Sequence, residues 1–160
     1  TERSIRRLDA EIALHEWMAQ CGTDGVILRV PGIYALDRLP LERLKRGDPV
    51  IDADQAPWTN RIHADDLAML AKAAMERAPK GAIYNATDGN PSTMTDYFNQ
   101  VADHMGLPRP PQISVAEAKQ VLSAGMLNYL QESRRIRNDK ILHELGVSLQ
   151  YPSLAEALRN

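Results

Sequence analysis

Val26-Ile-Leu-Arg-Val-Pro-Gly-Ile-Tyr34 is the stretch on which the reading of this chain turns. Its first five residues are aliphatic or β-branched, apart from Arg29. Such a run predicts a strand buried on both faces, as in a parallel sheet. Pro31 cannot donate a ladder hydrogen bond, and Gly32 permits backbone angles that other residues avoid. The strand is therefore expected to stop at Pro31 and open into a loop. In open α/β sheets, ligands sit at the carboxyl ends of strands, where such loops emerge. The same residues also suit a plain core strand followed by a turn.

Upstream, Ala10, Ala13, Leu14, Trp17, Met18 and Cys21 fall at helical spacing and predict one apolar stripe. Arg3, Arg6 and Arg7 crowd the start of that helix, where the macrodipole disfavours cations. The helix is thus expected to begin before Thr1. Gly22 and Gly25 bracket the turn into the strand. A helix, a short turn and a buried strand are half of a βαβ unit. The strand that should precede the helix is not in this sequence.

Downstream, residues 41–46 suit one or two helical turns ending at Gly47, and the polar run 52–58 reads as a surface loop. Leu67, Leu70, Ala71, Ala74 and Met75 predict a helix with Asp65 as its N-cap, and Pro79, Lys80 and Gly81 end it. Residues 82–85 read as a short strand closed by the turn Asp88-Gly89-Asn90-Pro91. Thr93 with Asp96 resembles a capping box for a helix that carries Met94, Tyr97, Phe98, Val101 and Met105 on one face. Gly106 and Pro108 stop it. Ser114 with Glu117 caps another short helix, and residues 127–130 suit a further turn. Asn138 is expected to cap a helix that ends at Gly146, and Ser153 with Glu156 starts the last one.

The composition narrows the possibilities. One chain of 160 residues, 44% hydrophobic and 25% charged, suits a single globular domain. A net charge of −2 gives no electrostatic reason to expect nucleic acid or an anionic membrane as partner. No stretch is long and apolar enough for a membrane span, and the start lacks a signal-peptide pattern. The single cysteine, Cys21, excludes an internal disulfide and a cysteine-based zinc cluster. A cytoplasmic protein is the resulting expectation.

Few residues are placed for chemistry. His63-Ala-Asp65-Asp66 is the tightest group of histidine and carboxylates, suited to metal or acid/base work. A half-buried histidine beside an N-cap explains it as well, because Asp65 is already turning into a helix. His15, His104 and His143 have no ligand constellation, so no metal is expected. Arg134, Arg135, Arg137 and Lys140 form a basic group fit for a phosphate or for a solvated face. Tyr34 follows the strand end and either presents its hydroxyl to a ligand or packs over the rim. Arg29, inside an apolar run, must be paired or reach the strand end. Cys21 reads as an inert core residue. The sequence has no glycine-rich dinucleotide turn, no P-loop and no Gly-x-Ser-x-Gly elbow. No tyrosine has a lysine four residues later.

Four pieces then stand in order: Leu28-Arg-Val-Pro-Gly-Ile-Tyr34, Ile62-His-Ala-Asp-Asp66, Ile83-Tyr-Asn85 with Asp88-Gly89, and residues 133–146, which end in Asn138-Asp-Lys-Ile-Leu-His-Glu-Leu-Gly146. Together they resemble the C-terminal half of the extended short-chain dehydrogenases, the NAD-dependent epimerase/dehydratase group. The resemblance implies an α/β fold: the last strands of a Rossmann-like parallel sheet plus a small, mostly helical substrate-binding part. The dinucleotide-binding N-terminal half would lie outside this chain. NAD or NADP would belong to the complete protein, and this chain alone would bind neither tightly. The implied partners are a small or nucleotide-linked substrate, the missing N-terminal half and a second copy in a homodimer.

The resemblance also assigns residues. Pro31, Gly32 and Tyr34 would lie near the nicotinamide. Tyr34, Arg61, Arg134 and Arg135 would face the substrate, while His63, Asp65 and Asp66 would hold the fold. Aligning on Ala10-Glu11 puts Arg3 and Arg7 where the family carries its catalytic tyrosine and lysine. An arginine stays protonated and cannot act as their acid/base. The catalytic residues are therefore unknown, and whether the chain is part of an enzyme stays open. The rival reading is a non-catalytic binding or sensor protein on the same fold. The family's phosphate-holding arginine before Ile62-His63 aligns with Thr59, and Arg61 stands where it has an aromatic residue.

Overall fold

The computed structural model describes residues 2–121, 125, 127 and 132–159. Helix α1, Glu2–Cys21, is followed by strands β1, Ile27–Arg29, and β2, Gly32–Tyr34. Next come α2, Leu41–Lys45, and three short strands: β3, Val50–Ile51, β4, Trp58–Thr59, and β5, Arg61–His63. Helix α3, Ala64–Arg77, leads to β6, Ile83–Asn85, then β7, Ser92–Thr93, and α4, Met94–His104. Strand β8, Gln112–Ile113, precedes α5, Val115–Val121. Two short helices, α6, Asp139–Leu145, and α7, Leu154–Ala157, follow. The turn expected at residues 127–130 lies outside the described residues, apart from Leu127.

The strands run mostly in parallel pairs, as the α/β reading requires. β1 pairs with β6, setting Ile27 opposite Ile83, and β2 pairs with β5, setting Gly32 opposite Arg61 and Tyr34 opposite His63. β3 and β8 are also parallel, whereas β4 and β7 are antiparallel. The expected loop after Pro31 is instead a switch between ladders. Pro31 has no N–H to offer, so pairing lapses for two residues. The Gly32 N–H then donates to Asn60 O at 3.3 Å and opens the second ladder. Gly32 is not among the glycines with positive φ, so its place in β2 does not require glycine.

Two apolar cores hold these pieces. One gathers Tyr34, Leu44, Val50, Tyr97, Phe98, Val101, Leu154 and Leu158 between β2, α4 and α7. The other gathers Ile62, Leu70, Ala74, Tyr84, Ile141 and Leu145 between β5, β6, α3 and α6.

Several local expectations are met by their own mechanism. Thr93 Oγ1 accepts the Asp96 N–H at 3.0 Å while the Asp96 carboxylate accepts the Thr93 N–H at 3.1 Å, a full capping box. Ser114 with Glu117 does the same, and Gly146 closes α6 with φ +60°.

Others are corrected. β1 is not buried on both faces: Ile27 is buried, Leu28 half-buried and Arg29 exposed. Arg29 reaches back to α1, where Nε and Nη2 donate to the Glu11 carboxylate at 2.8 and 2.6 Å. That pair helps set the rotation of α1. Glu11, His15 and Met18 turn inward, while Leu14, Trp17 and Cys21 of the expected stripe are exposed. Cys21 is therefore not a core residue. The run 52–58, read as loop, ends in β4. Met75 and Met105 also leave their helices' buried faces and are exposed.

Candidate functional site

The carboxyl ends of β1 and β6 feed the same place. After β6 the chain continues beside β5, and the Asp88 N–H donates to Arg61 O at 2.8 Å. β5 therefore runs between β2 and the 86–88 segment. Its three residues are all buried, a position that forces each polar side chain to find a partner.

Arg61 answers that demand inside the protein. Nη1 donates to Ser92 Oγ at 2.8 Å, Nη2 reaches Met94 Sδ at 3.8 Å, and the guanidinium carbon sits 4.2 Å from the Tyr97 ring centroid. The cation thus lies over an aromatic face in a desolvated site, where such contacts are strongest. Tyr34 lies close by, only 2% exposed, so it is a core residue and not a rim residue. Its hydroxyl has no hydrogen-bond partner among the described residues. Burial, then the nearby Asp88 and Asp66 carboxyls, push that hydroxyl well above an ordinary phenol.

Asp88 is buried at the same junction. Burial raises its carboxyl to about 6, against the pull of the Asn90 N–H and the Arg61 charge, while Asp66 adds to the rise. Oδ1 accepts the Asn90 N–H at 2.9 Å. The following Gly89 has φ +76°, and a Cβ there would fall 2.6 Å from Asn138 Oδ1. Asn138 makes no capping bond to α6, contrary to the sequence expectation. Its Nδ2 donates to Thr87 O at 2.8 Å and fixes this loop instead.

His63 and Asp66 take structural parts, as the resemblance implied, but not in the expected division. His63, not Asp65, caps α3: Nδ1 accepts the Asp65 N–H at 3.3 Å, and Asp65 is exposed. The ring lies between Tyr34, edge-on at 5.3 Å, and Tyr151 at 4.0 Å. Asp66 is buried and takes both backbone N–H groups of Gln150 and Tyr151, each at 2.8 Å. It fastens the last segment of the chain to α3.

The outer side of the junction carries Arg134 and Arg135. Residues 133–136 lie along β4 and its neighbour Asn60. The Arg134 N–H donates to Trp58 O at 3.1 Å, and Asn60 bonds Arg134 O and the Ile136 N–H at 3.0 and 2.9 Å. The Arg135 guanidinium stands 5.3 Å over the half-exposed Trp58 ring. Arg134 pairs with Glu132 at 3.0 Å and donates to Ser4 Oγ of α1 at 3.3 Å. Arg137 pairs with Asp139 at 2.6 Å. Lys140 Nζ donates to Ile83 O at 3.1 Å, over the Tyr84 ring.

The structure therefore brings Tyr34 and Arg61 together inside, and Arg134 and Arg135 together outside at Trp58. It does not gather the four basic residues into one cluster. Gly32 is the register partner of Arg61, and Val30 and Ile33, either side of Pro31, are exposed. Among the described residues, no three His, Cys, Asp or Glu side chains are grouped to hold a metal ion. Among the described residues, no helix is long and apolar enough to cross a membrane. Sequence reasoning missed Asp88, which looked like a turn residue. Its local signal was an acidic residue three positions after the short strand Ile83–Asn85.

No protein-family model and no curated protein matches the sequence. Solved structures do. A conserved protein of unknown function from Silicibacter pomeroyi is 33% identical, with a TM-score of 0.80 over 92% of this chain and 51% of its own. UDP-glucose 4-epimerase from Thermotoga maritima, solved with UDP-glucose, is 20% identical, with a TM-score of 0.74 over 97% of this chain and 50% of its own. A human epimerase family protein solved with NADPH is 18% identical, with a TM-score of 0.69 over 86% of this chain and 48% of its own. The chain thus has the mixed α/β, Rossmann-like fold of these epimerases, and it spans about half the length of the structures it matches.

Proposed function

We propose that the chain is the carboxyl-terminal, substrate-side portion of a cytoplasmic NAD(P)-dependent epimerase/dehydratase-like protein, one whose amino-terminal half carries the dinucleotide turn. The observation that supports this best is the fold shared with UDP-glucose 4-epimerase over 97% of the chain. On this reading Val30, Pro31, Gly32 and Ile33 are one wall beside the nicotinamide. Tyr34 and Arg61 shape the floor from within. Arg134 and Arg135 answer the negative charge of a nucleotide-linked substrate, with Trp58 offering an aromatic face beside them.

The chain's own residues fit only part of a dinucleotide. The exposed apolar residues at Val30 and Ile33 suit a nicotinamide face, but no glycine-rich turn in the sequence can cradle the pyrophosphate. The upstream half would have to supply that cradle. The exposed Ile5, Leu8 and Ile12 of α1 support a further contact on that helix, with the upstream half or with a second copy in a homodimer.

A second reading has one observation in its favour. With Arg3 and Arg7 in place of a tyrosine and lysine, neither of those two positions holds a group that can take up and return a proton. A non-catalytic binding or sensor protein needs none. The test is calorimetry with UDP, NAD+ and NADPH on the 160-residue chain and on a product extended through the upstream reading frame. Dinucleotide affinity in the micromolar range for the longer product alone supports the shared reading. Turnover of NAD(P)H with carbonyl substrates then separates enzyme from sensor. Failure of the longer product to bind any dinucleotide refutes both.

A further inference from the structure

Residues 133–136 are held peptide by peptide, and the effect is to place one side chain. The Trp58 N–H donates to Ser133 Oγ at 3.1 Å, and Trp58 O accepts the Arg134 N–H at 3.1 Å. Two residues on, the Asn60 amide bonds this segment as a strand edge would. Its Nδ2 donates to Arg134 O at 3.0 Å, and its Oδ1 accepts the Ile136 N–H at 2.9 Å. Those two bonds bracket Arg135, so the peptide group on each side of it is fixed. Trp58 and Thr59 alternate as neighbours on a strand must. Thr59 is buried, with Oγ1 donating to Ser92 O at 2.8 Å, and Trp58 is turned outward, 40% exposed. The Arg135 guanidinium lies over that outward ring, 5.3 Å from its centroid and within the reach of a cation–π contact.

The other cations of this run are already engaged. Arg134 pairs with Glu132 and donates to Ser4 Oγ, Arg137 pairs with Asp139, and Lys140 Nζ donates to Ile83 O. Arg135 is exposed and has no acceptor or ion-pair partner among the described residues. A guanidinium keeps its charge and offers its donors in a planar fork that matches two oxygens of one anion. Stacking on Trp58 restricts its rotamers before any ligand arrives, which lowers the entropy lost on binding.

We propose that Arg135 on Trp58 is a preformed site for an oxyanion, the phosphate or carboxylate of a ligand, and that Asn60 is the positioning residue that holds it. Two oxygens of the anion take the fork, and the exposed part of the Trp58 ring meets the body that carries them. The proposal rests on the substrate-side reading above and narrows it to one of two arginines. Arg135 meets the charge, while Arg134 ties the segment to α1.

The chain has two tryptophans, Trp17 and Trp58, so Trp17→Phe leaves Trp58 as the one indole reporter. Emission of that 160-residue protein is titrated with inorganic phosphate, UMP and glucuronate, each against sodium chloride of equal ionic strength. A saturable change is expected, and the tighter of UMP and glucuronate identifies the source of the anion. Arg135→Gln should weaken binding about tenfold or more, and Arg134→Gln less than about threefold, with calorimetry showing that lost signal is lost binding. Asn60→Ala should weaken binding where Arg135 is present and add no loss to Arg135→Gln, whereas a general loss of structure would add in both backgrounds. No saturable change with any probe overturns the proposal, and so does an Arg134→Gln protein that loses as much as Arg135→Gln. An Asn60→Ala loss that adds in both backgrounds overturns the positioning role. Should Asn60→Ala fail to fold, the two arginine variants decide. Dinucleotide binding by the longer product is measured apart, so the substrate-side reading stands or falls separately.

Discussion

Replacing Asp66 by alanine should cost about 3 kcal/mol and loosen the end of the chain before anything else. Asp66 is 2% exposed and accepts two backbone N–H groups, from Gln150 and Tyr151, each at 2.8 Å. Hydrogen bonds to a charged acceptor are worth roughly 1.5–3 kcal/mol each, so two give about 3–6 kcal/mol before relaxation. Gln150 is exposed and Tyr151 half-buried, so water can reach the freed amides in part. That access sets the estimate at the lower end, about 3 kcal/mol. Such a loss is a large share of the roughly 5–15 kcal/mol that holds a domain together. Asp66→Asn keeps one acceptor but sets an NH2 group against an N–H, so it should recover only part. The assay is urea denaturation of wild type and both variants, with amide hydrogen exchange at Gln150 and Tyr151. In wild type these amides should exchange slowly, and in Asp66→Ala they should be among the first to speed up. A cost under about 1 kcal/mol, or an Asp66→Asn variant as stable as wild type, would refute the clamp.

Three further outcomes are expected. Gly89→Ala should cost about 3 kcal/mol in chemical denaturation, because φ is +76° and the new Cβ would meet Asn138 Oδ1 at 2.6 Å; Gly47→Ala, at φ +67° with nothing within 4 Å, should cost only about 1 kcal/mol. Tyr34→Phe should be neutral or raise the thermal midpoint, since removing an unpartnered buried hydroxyl gains up to about 1 kcal/mol, and a loss above that would mean the hydroxyl is hydrogen-bonded after all. A double-mutant cycle on Glu11 and Arg29 should give a coupling of about 0.5–1 kcal/mol, the range of exposed pairs. The hydrogen bond from Arg29 holds the Glu11 carboxyl below its ordinary value, so this coupling is complete above that value and lost as pH falls through the lower, folded one.

What the sequence could show depended on how far the deciding partner sat along the chain. Capping boxes are written within four residues, so Thr93 with Asp96 and Ser114 with Glu117 were legible in full. β2, β3 and β4 were not, because each is three residues or fewer and exists only by pairing with a distant strand. Nothing near Gly32 announces that Asn60, 28 residues on, will receive its N–H. The face that α1 buries was misjudged for the same reason: Arg29 draws Glu11 inward, and an apolar stripe cannot foresee that. In the site, Tyr34 and Arg61 were named from the order of motifs. Their burial around Asp88 follows from the strand switch at Pro31, which only the ladders reveal.

That switch has a consequence for any ligand at this end of the sheet. β1 and β6 are each three residues long, and both strands leave their shared ladder to flank β5, through Gly32 N–H to Asn60 O and Asp88 N–H to Arg61 O. The wall at Val30–Ile33 and the buried charge at Asp88 are thus bonded to neighbouring residues of one segment, 60–61. The outer arginines are bonded to that segment too, through Asn60. Arg134 in turn contacts Ser4, on the same first turns of α1 as Arg3 and Arg7. Asn60 is thus bonded to the Arg134 carbonyl and the Ile136 N–H on one side and adjoins Arg61, whose carbonyl accepts the Asp88 N–H, on the other. The linkage is a property of a backbone with little slack: residues 58–63 contribute to three pairings within six residues. On the proposed function, in which Arg134 and Arg135 meet a negatively charged ligand, substitution of Asn60 by alanine should disturb that binding and the Asp88 titration together, whereas Arg135→Ala should weaken the first and spare the second. An Asn60→Ala protein that changed only one of the two would show that the segment does not couple them.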